Sequence, residues 1–167
     1  MSSRNLDDAI YPMKYFAEEL IKRAKEDLHI KVIIVSVMRT YLEQLALFAQ
    51  GRMSLYEVNI ARKKAGMIPI EARYNNKVTW TMNSKHVINL DDNMIDNDKS
   101  RAVDFGILDK YGKYQGSEKA DVNEDNKPDY IQLGELGMKI AHEFGYPILW
   151  GGDFKKSKDY PHFEWIV

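Results

Sequence analysis

Two histidines and one aspartate have the types and settings of a catalytic metal site. His86 begins a loop after a predicted strand, His162 follows a turn stiffened by proline, and Asp104 lies inside the apolar run 102–105. A carboxylate among apolar residues is costly unless it is paired, hydrogen-bonded or bound to metal. Two imidazoles and one carboxylate leave a fourth position open on zinc, which is typical of catalytic zinc sites. The ordinary alternatives are two unliganded histidines and an aspartate that caps or pairs.

A further carboxylate near this set could serve as general base. Asp159 precedes His162 by three residues and could reach a metal-activated water across the intervening proline. The chain has no cysteine, which excludes thiol nucleophiles, disulfides and cysteine-ligated zinc. With no G-x-S-x-G elbow and no glycine-rich phosphate loop, the candidate nucleophiles are Ser, Thr, Lys, a carboxylate or metal-activated water.

The elements that must position these residues are amphipathic helices and short apolar strands. Their periodicity predicts helices over residues 11–28, 40–50, 54–66 and 129–145. β-Branched and alternating stretches predict strands over residues 31–38, 75–82, 101–108, 147–150 and 162–167. The chain shows no repeat and no linker, so the pattern predicts a single α+β domain over residues 1–167. Residues 1–10 are expected to form a loose arm, and 89–100 a polar, acidic loop.

The second predicted helix has clear start and stop signals. Thr40 is a candidate N-cap, and Glu43 three residues later would complete a capping box. Gly51 is a candidate C-terminal stop. The apolar residues expected to anchor this helix in the core are Leu42, Leu45, Leu47 and Phe48.

The charge and hydrophobicity of the chain argue against nucleic acid and membranes as partners. The 167 residues include 24 Lys+Arg and 25 Asp+Glu, a net charge of −1, which gives no support to nucleic acid as a partner. No apolar run has the length needed to span a bilayer, so no membrane insertion is expected. The N-terminal segment lacks the apolar core of a secretory signal. We therefore expect synthesis in the cytoplasm and another route to any external site of action.

One polar segment resembles the first half of a calcium loop. Oxygen donors recur at alternate positions, and the candidate calcium ligands are Asp121, Asn123, Asp125, Lys127 and Asp129. Asn126 stands where such loops carry glycine, and Gln132 where they carry glutamate. The alternative is a solvated acidic loop closed by Asx-turns.

Three sequence blocks resemble the M15 family of zinc peptidases, which cut bacterial cell-wall peptides. The blocks are VSVMRTYLEQLALFAQGR (35–52), VTWTMNSKH (78–86) continuing to SRAVDFGI (100–107), and WGGDFKKSKDYPHFEW (150–165). They are most similar to the L-alanyl-D-glutamate endopeptidases found among phage endolysins. The resemblance implies the M15/hedgehog-like peptidase fold, with a small antiparallel sheet flanked by helices.

The resemblance also implies a role for each matching residue. His86, Asp104 and His162 would be the ligands of one catalytic Zn²⁺. Asp159 would be the general base and acid, and Arg39 would face the scissile carbonyl and stabilise the oxyanion. The residues expected to shape the site or contact substrate are Ser84, Gln44 and Glu164; Glu164 could contact a ligand histidine and is the rival base.

The spacing of the ligands departs from the family pattern. Eighteen residues separate His86 from Asp104, eleven more than in the family, where the step is seven. The inserted stretch brings in competing carboxylates, namely Asp91, Asp92, Asp96 and Asp98. The A-V-D-F context favours Asp104 as the ligand.

The function implied by the resemblance is hydrolysis of the L-Ala–D-Glu bond in peptidoglycan stem peptides. A phage or prophage endolysin of this kind would act at the cell wall as a monomer after a holin opens the membrane. Some family members are switched by Ca²⁺, which would suit the loop at 121–129. The alternatives are a D-Ala-D-Ala carboxypeptidase or dipeptidase of the same family, and a non-catalytic zinc or wall-binding module.

Overall fold

The computed structural model describes residues 3–88 and 98–167. Its α-helices are α1 (Tyr11–Asp27), α2 (Tyr41–Ala49), α3 (Leu55–Lys64) and α4 (Asp129–Phe144). Its strands are β1 (Lys31–Ser36), β2 (Ala102–Leu108), β3 (Tyr114–Gln115), β4 (Ile148–Trp150) and β5 (His162–Trp165). Single 3₁₀ turns cover Leu6–Asp8, Ala72–Tyr74 and Gly151–Asp153.

The strands form one antiparallel sheet in the order β1-β2-β5-β4, with β3 paired to β2. Strand β2 is central because its first half pairs with β5 and its second half with β1. Successive side chains of a strand point to opposite faces. Val103, Phe105 and Ile107 of β2 are fully buried, whereas Asp104 belongs to the other face. The predicted α+β class with a small antiparallel sheet is confirmed.

Helices α1 and α4 cover the apolar face of this sheet. Phe16 of α1 stacks on Phe163 of β5, whose ring also meets Phe105 of β2 edge-on. Gly137 of α4 lets the helix approach, since a Cβ there would lie 2.5 Å from the Phe163 ring. Core and site therefore lie on opposite faces of β2 and β5, which fixes the site strands against a packed layer.

Helix α2 has the predicted capping box but a different buried face. Thr40 accepts from the Glu43 backbone N–H while Glu43 accepts from that of Thr40. The predicted anchors Leu42 and Leu45 are 48% and 41% exposed, and Gln44 is fully buried instead. The expectation that these leucines anchor the helix is wrong, because the buried amide of Gln44 is used to hold a neighbouring chain segment.

That neighbouring segment corrects the prediction of a strand over residues 75–82. None of these residues is in a strand. Gln44 Nε2 donates to the carbonyl of Thr81 at 2.6 Å, and Arg52 donates to that of Thr79 at 3.0 Å. Side chains thus satisfy carbonyls that a strand would pair with another strand. The short strand β3, by contrast, lies in a stretch without apolar periodicity that we did not predict as a strand.

The N-terminal residues are more ordered than a loose arm. Ser3 N–H donates to the carbonyl of Met38, and its own carbonyl accepts from Val37. Ala9 is buried and bridges to Ser100. For residues 3–10 the expectation of a loose arm is therefore wrong. Within the part of the chain that the structure describes, no helix is long and apolar enough to cross a membrane.

Candidate metal centre and active-site groove

The register of the central strands places two candidate ligands side by side. Asp104 of β2 lies directly opposite His162 of β5, and Ala102 lies opposite Glu164. Directly opposed residues of an antiparallel pair project to the same face. The carboxylate Oδ1 of Asp104 accordingly lies 2.8 Å from His162 Nδ1.

The third candidate ligand, His86, lies on a loop. Arg39 N–H donates to the carbonyl of His86, and Ile88 N–H donates to that of Arg39. Ser84 Oγ accepts from the backbone N–H of His86 at 3.3 Å, and its role in shaping the site stays a prediction. The His86 ring is buried, and its Nδ1 lies 2.6 Å from the carbonyl of Val37.

The contacts of His86 fix which nitrogen faces the other two residues. A carbonyl can only accept, so Nδ1 carries the hydrogen and Nε2 of the neutral ring presents a lone pair. That nitrogen lies 3.0 Å from Asp104 Oδ1 and 3.2 Å from His162 Nδ1. Three acceptors converging at such distances require a shared cation or proton between them.

The donor set fits zinc. Two imidazole nitrogens and one carboxylate oxygen lie within 4.8 Å of one another, and among the described residues no other group of three His or acidic side chains does so. His162 Nε2 lies 3.0 Å from Glu164 Oε2. In both histidines, the ring nitrogen that does not face the cluster thus donates a hydrogen bond to an oxygen acceptor, as in metal-bound histidines. The predicted ligands are therefore together, and Glu164 contacts a ligand histidine.

Charges in the cluster are strongly coupled. Burial alone would raise the pKa of Asp104, but the two histidines beside it hold that pKa well below its ordinary value. Burial would lower the pKa of His162, yet hydrogen bonds to Asp104 and Glu164 raise it to about 10. In the absence of metal, the raised pKa favours a protonated His162, whose positive charge offsets the negative charges of Asp104 and Glu164.

Asp159 lies at the mouth of the same groove. Its side chain is exposed and has no hydrogen bond to either histidine among the described contacts. Partial desolvation and the negative charge of Asp104 raise its pKa, and the positive charges of the histidines and Arg39 oppose the shift. A free carboxylate of raised pKa beside the ligand cluster is suited to accept and return a proton.

A tryptophan and three glycines, which the sequence reasoning did not single out, hold the Asp159 loop. Trp150 Nε1 donates to the carbonyl of Tyr160 at 2.8 Å. A Cβ on Gly134 or Gly152 would meet the Trp150 ring at 2.2 to 2.3 Å, and one on Gly151 would meet the carbonyl oxygen of Asp159 at 2.2 Å. The motif W-G-G-D was the available signal, because glycines beside tryptophan indicate close packing.

Arg39 and Gln44 form a second layer around the carboxylate. Arg39 donates to Asp104 Oδ2 at 3.0 Å and, weakly, to Gln44 Oε1 at 3.4 Å. A guanidinium has five N–H donors, so these two bonds leave others for a ligand in the groove. The structure thus places Arg39 at the site, but with Asp104 as its first partner.

A groove of about 770 Å³ surrounds the cluster. Most of its lining comes from two chain segments, residues 77–86 and residues 153–162. Of the competing carboxylates, Asp98 lines a different cavity near the N-terminus. The other three, Asp91, Asp92 and Asp96, lie outside the described residues.

The candidate calcium loop is closed by its own hydrogen bonds. Asp121 accepts from the backbone N–H groups of Asp125 and Asn126, and Asp125 accepts from Lys127 N–H and Gln132 Nε2. These bonds match the Asx-turn alternative. Within the loop, Asn123 Oδ1 also accepts from Asp125 N–H, and Lys127 takes part only as the backbone N–H donor to Asp125.

Asp129 is the exception in this loop. It is fully buried, one carboxylate oxygen accepts from Val122 N–H, and the other has no hydrogen-bond partner in the described structure. Burial raises its pKa. Calcium binding by the loop stays a prediction, and Asp129 is the residue on which it depends.

Comparison with known proteins gives three matches. Residues 98–165 match an M15 peptidase family model described as D-alanyl-D-alanine carboxypeptidase. The chain is 26% identical over 157 residues to the peptidoglycan L-alanyl-D-glutamate endopeptidase CwlK of Bacillus subtilis, covering 94% of this chain and 74% of that protein. The crystal structure of the Serratia marcescens L-Ala D-Glu endopeptidase ChiX superposes with a TM-score of 0.52 at 18% identity, over 99% of this chain and 89% of that one.

The match to an M15 family model over residues 98–165 agrees with the family resemblance, and the superposition with ChiX confirms the predicted fold. The family match covers Asp104, Asp159, His162 and Glu164, whereas His86 precedes it. Because the match begins at residue 98, the organisation of residues 1–167 as one catalytic domain stays a prediction.

Proposed function

We propose that this chain is a zinc-dependent peptidoglycan endopeptidase that cuts the L-Ala–D-Glu bond of stem peptides, because residues 98–165 match an M15 peptidase family model and the chain is similar to an L-alanyl-D-glutamate endopeptidase. The observation that carries the proposal is the convergence of His86, Asp104 and His162 on one point in an open groove. The name of the CwlK relative supports this bond as the substrate.

In this proposal His86 Nε2, Asp104 Oδ1 and His162 Nδ1 hold the metal. Bound there, Zn²⁺ would supply an acidified water and polarise the peptide carbonyl. Glu164 and the Val37 carbonyl keep the two imidazoles in the tautomers that point a lone pair into the site.

The remaining residues act on the proton and on the developing charge. Asp159 accepts the proton of the attacking water and returns it to the amine that leaves, since its carboxylate lines the groove and has no hydrogen bond or ion pair among the described residues. Arg39 directs unused N–H groups at the oxyanion while its bond to Asp104 holds it in place. Gln44 and Ser84 position the chain around Arg39 and His86.

Digestion of purified stem peptides tests the proposal. Zinc-loaded protein should produce a new C-terminal L-alanine and a new N-terminal D-glutamate, identified by mass spectrometry, and Asp159→Ala should not. Metal content should approach one zinc per chain in both proteins. Zinc binding without any cleavage by the wild type would favour the non-catalytic module instead.

A carboxypeptidase of the same family is the second candidate, favoured by the description of the matching family model. The same ligands and base would serve, and only the bond would differ. Release of free D-alanine from pentapeptide stems, without new D-glutamate N-termini, would support this candidate and overturn the endopeptidase.

We also propose a lysis role of the phage endolysin type, on the basis of the sequence resemblance. Expressed inside a bacterium, the protein should leave cells intact until a holin or a permeabilising agent opens the membrane, and turbidity should then fall. The catalytically impaired Asp159→Ala variant is the control. Lysis without permeabilisation would contradict the need for a holin.

A further inference from the structure

Lysines gather around the groove outside the metal ligands. Lys155, Lys156 and Lys158 lie on the loop that leads to Asp159, and Lys77 and Lys85 lie on the segment that leads to His86; all five line the groove. The two segments that carry the lysines supply most of the groove lining, so lysines from both segments border the metal-ligand cluster.

This concentration of positive charge is a local feature. Across the chain Lys+Arg and Asp+Glu are nearly equal, at 24 and 25. Once Asp104, Asp159 and Glu164 are set aside as site residues, the lining keeps the five lysines and one acidic residue, Asp153.

The groove lysines have no anionic partner among residues 3–88 and 98–167. The ion pairs found among the described residues involve none of them. Lys77 has its ammonium 5.8 Å from the centre of the Trp80 ring, and Trp80 is itself 63% exposed. Uncompensated cations along a groove attract an anionic ligand.

The substrate of the proposed function is anionic close to the scissile bond. A D-glutamyl residue has two carboxyl groups, and extending the peptide uses only one of them. The other remains a free carboxylate on the residue that follows the cut amide. Cell-wall peptides in which this carboxylate is amidated lose that charge.

Resting on the proposed endopeptidase function, we propose that the groove lysines recognise the free carboxylates of the stem peptide, so that the enzyme prefers acidic over amidated peptides. Lys155, Lys156 and Lys158 are the principal determinants because they share the loop of the base Asp159. An exposed ion pair changes binding by about 1.5- to 5-fold and weakens with salt.

The experiment compares two synthetic stem peptides that differ only in amidation of the D-glutamyl carboxylate. The wild type is measured with both peptides at low and high salt, beside a triple Lys→Gln variant at positions 155, 156 and 158. The matched control is a triple Lys→Gln variant of Lys22, Lys25 and Lys64, which are exposed on α1 and α3 and do not line the groove.

The wild type should favour the acidic peptide by up to about fivefold in kcat/KM at low salt, mainly through KM, and less at high salt. The groove variant should lose this preference while it cleaves the amidated peptide as well as the wild type does. The control variant should keep the preference.

Four results would overturn the inference. Equal cleavage of both peptides by the wild type would refute it and leave the proposed function intact. Equal loss of both activities in the groove variant would show a structural role for the loop. A loss seen only on whole cell walls, and not with soluble peptides, would assign the lysines to wall polyanions. Cleavage of neither peptide by the wild type would refute the proposed function and the inference together.

Discussion

Replacing Asp159 by asparagine separates proton transfer from metal binding. The main chain of Asp159 is held by a bond from its N–H to Gly151 and by one from His162 N–H to its carbonyl. Neither bond uses the side chain, so Asp159→Asn should keep the turn. The ligand nitrogens of His162 and His86 contact Asp104 and not Asp159, so metal affinity should also be unchanged.

The expected loss of turnover follows from the role of a general base. Such a group contributes about 10²- to 10⁴-fold to the rate, which corresponds to about 3–5 kcal/mol in the activation free energy. Asp159 is proposed both to accept the proton of the attacking water and to return it to the leaving amine. We therefore expect a loss of turnover in the upper part of this range. The fall should appear in kcat with the zinc content at one per chain.

Glu164→Gln is the matched contrast, because Glu164 is the rival base. Its carboxylate is engaged by His162 Nε2 at 3.0 Å, so its loss should weaken zinc binding by about 10- to 100-fold. Saturating zinc should then restore most turnover.

Metal titration with a competing chelator and single-peptide kinetics distinguish the two variants. If Asp159→Asn stays within about tenfold of the wild type, less than a general base supplies, or loses its zinc, the assignment of Asp159 is wrong. If Glu164→Gln is inactive with zinc fully bound, Glu164 is the base.

Three further predictions concern stability and metals. In metal-free protein the pKa of His162 is raised from 6.5 to about 10, so its stabilising contribution is complete below about pH 6.5 and is lost as pH rises towards 10. Denaturation curves should show this loss in the wild type and not in His162→Gln, and zinc should remove it. Gly134→Ala should lower the free energy of unfolding by about 1–3 kcal/mol, because its Cβ would meet the Trp150 ring at 2.2 Å; an unchanged denaturation midpoint would show that the ring moves away freely. Calcium should raise the Tm of zinc-loaded protein but not of its Asp129→Asn variant, and the absence of both heat and a Tm shift in the wild type would dismiss the calcium site.

Short-range patterns let the sequence determine most of the elements. The capping box at Thr40 and Glu43 is confirmed, and so are the four predicted helices. The preference for Asp104 over the aspartates of the inserted stretch rests on the need of a carboxylate in an apolar strand for a partner, and its role as a metal ligand stays a prediction. The capping and helix predictions are confirmed because capping and periodicity depend on residues only a few positions apart.

The same reasoning failed where a distant side chain decided the local structure. The prediction of a strand over 75–82 is wrong because Gln44 and Arg52 satisfy its carbonyls. For the same reason Leu42 and Leu45 are exposed while Gln44 is buried. Hydrophobicity alone places leucine inside and glutamine outside, and only the tertiary hydrogen bonds reverse this order.

Residue types alone indicated a metal site, but its geometry belongs to the tertiary structure. His86 and His162 are 76 positions apart, and their ring nitrogens meet at 3.2 Å only because a loop pairs with Arg39 and a strand pairs with β2. Long-range contacts of the same kind let Val37 and Glu164 set the histidine tautomers. They also bring the lysines of two chain segments to one groove. Local patterns carry no information on which segments meet, since that is settled by burial and pairing across the whole fold.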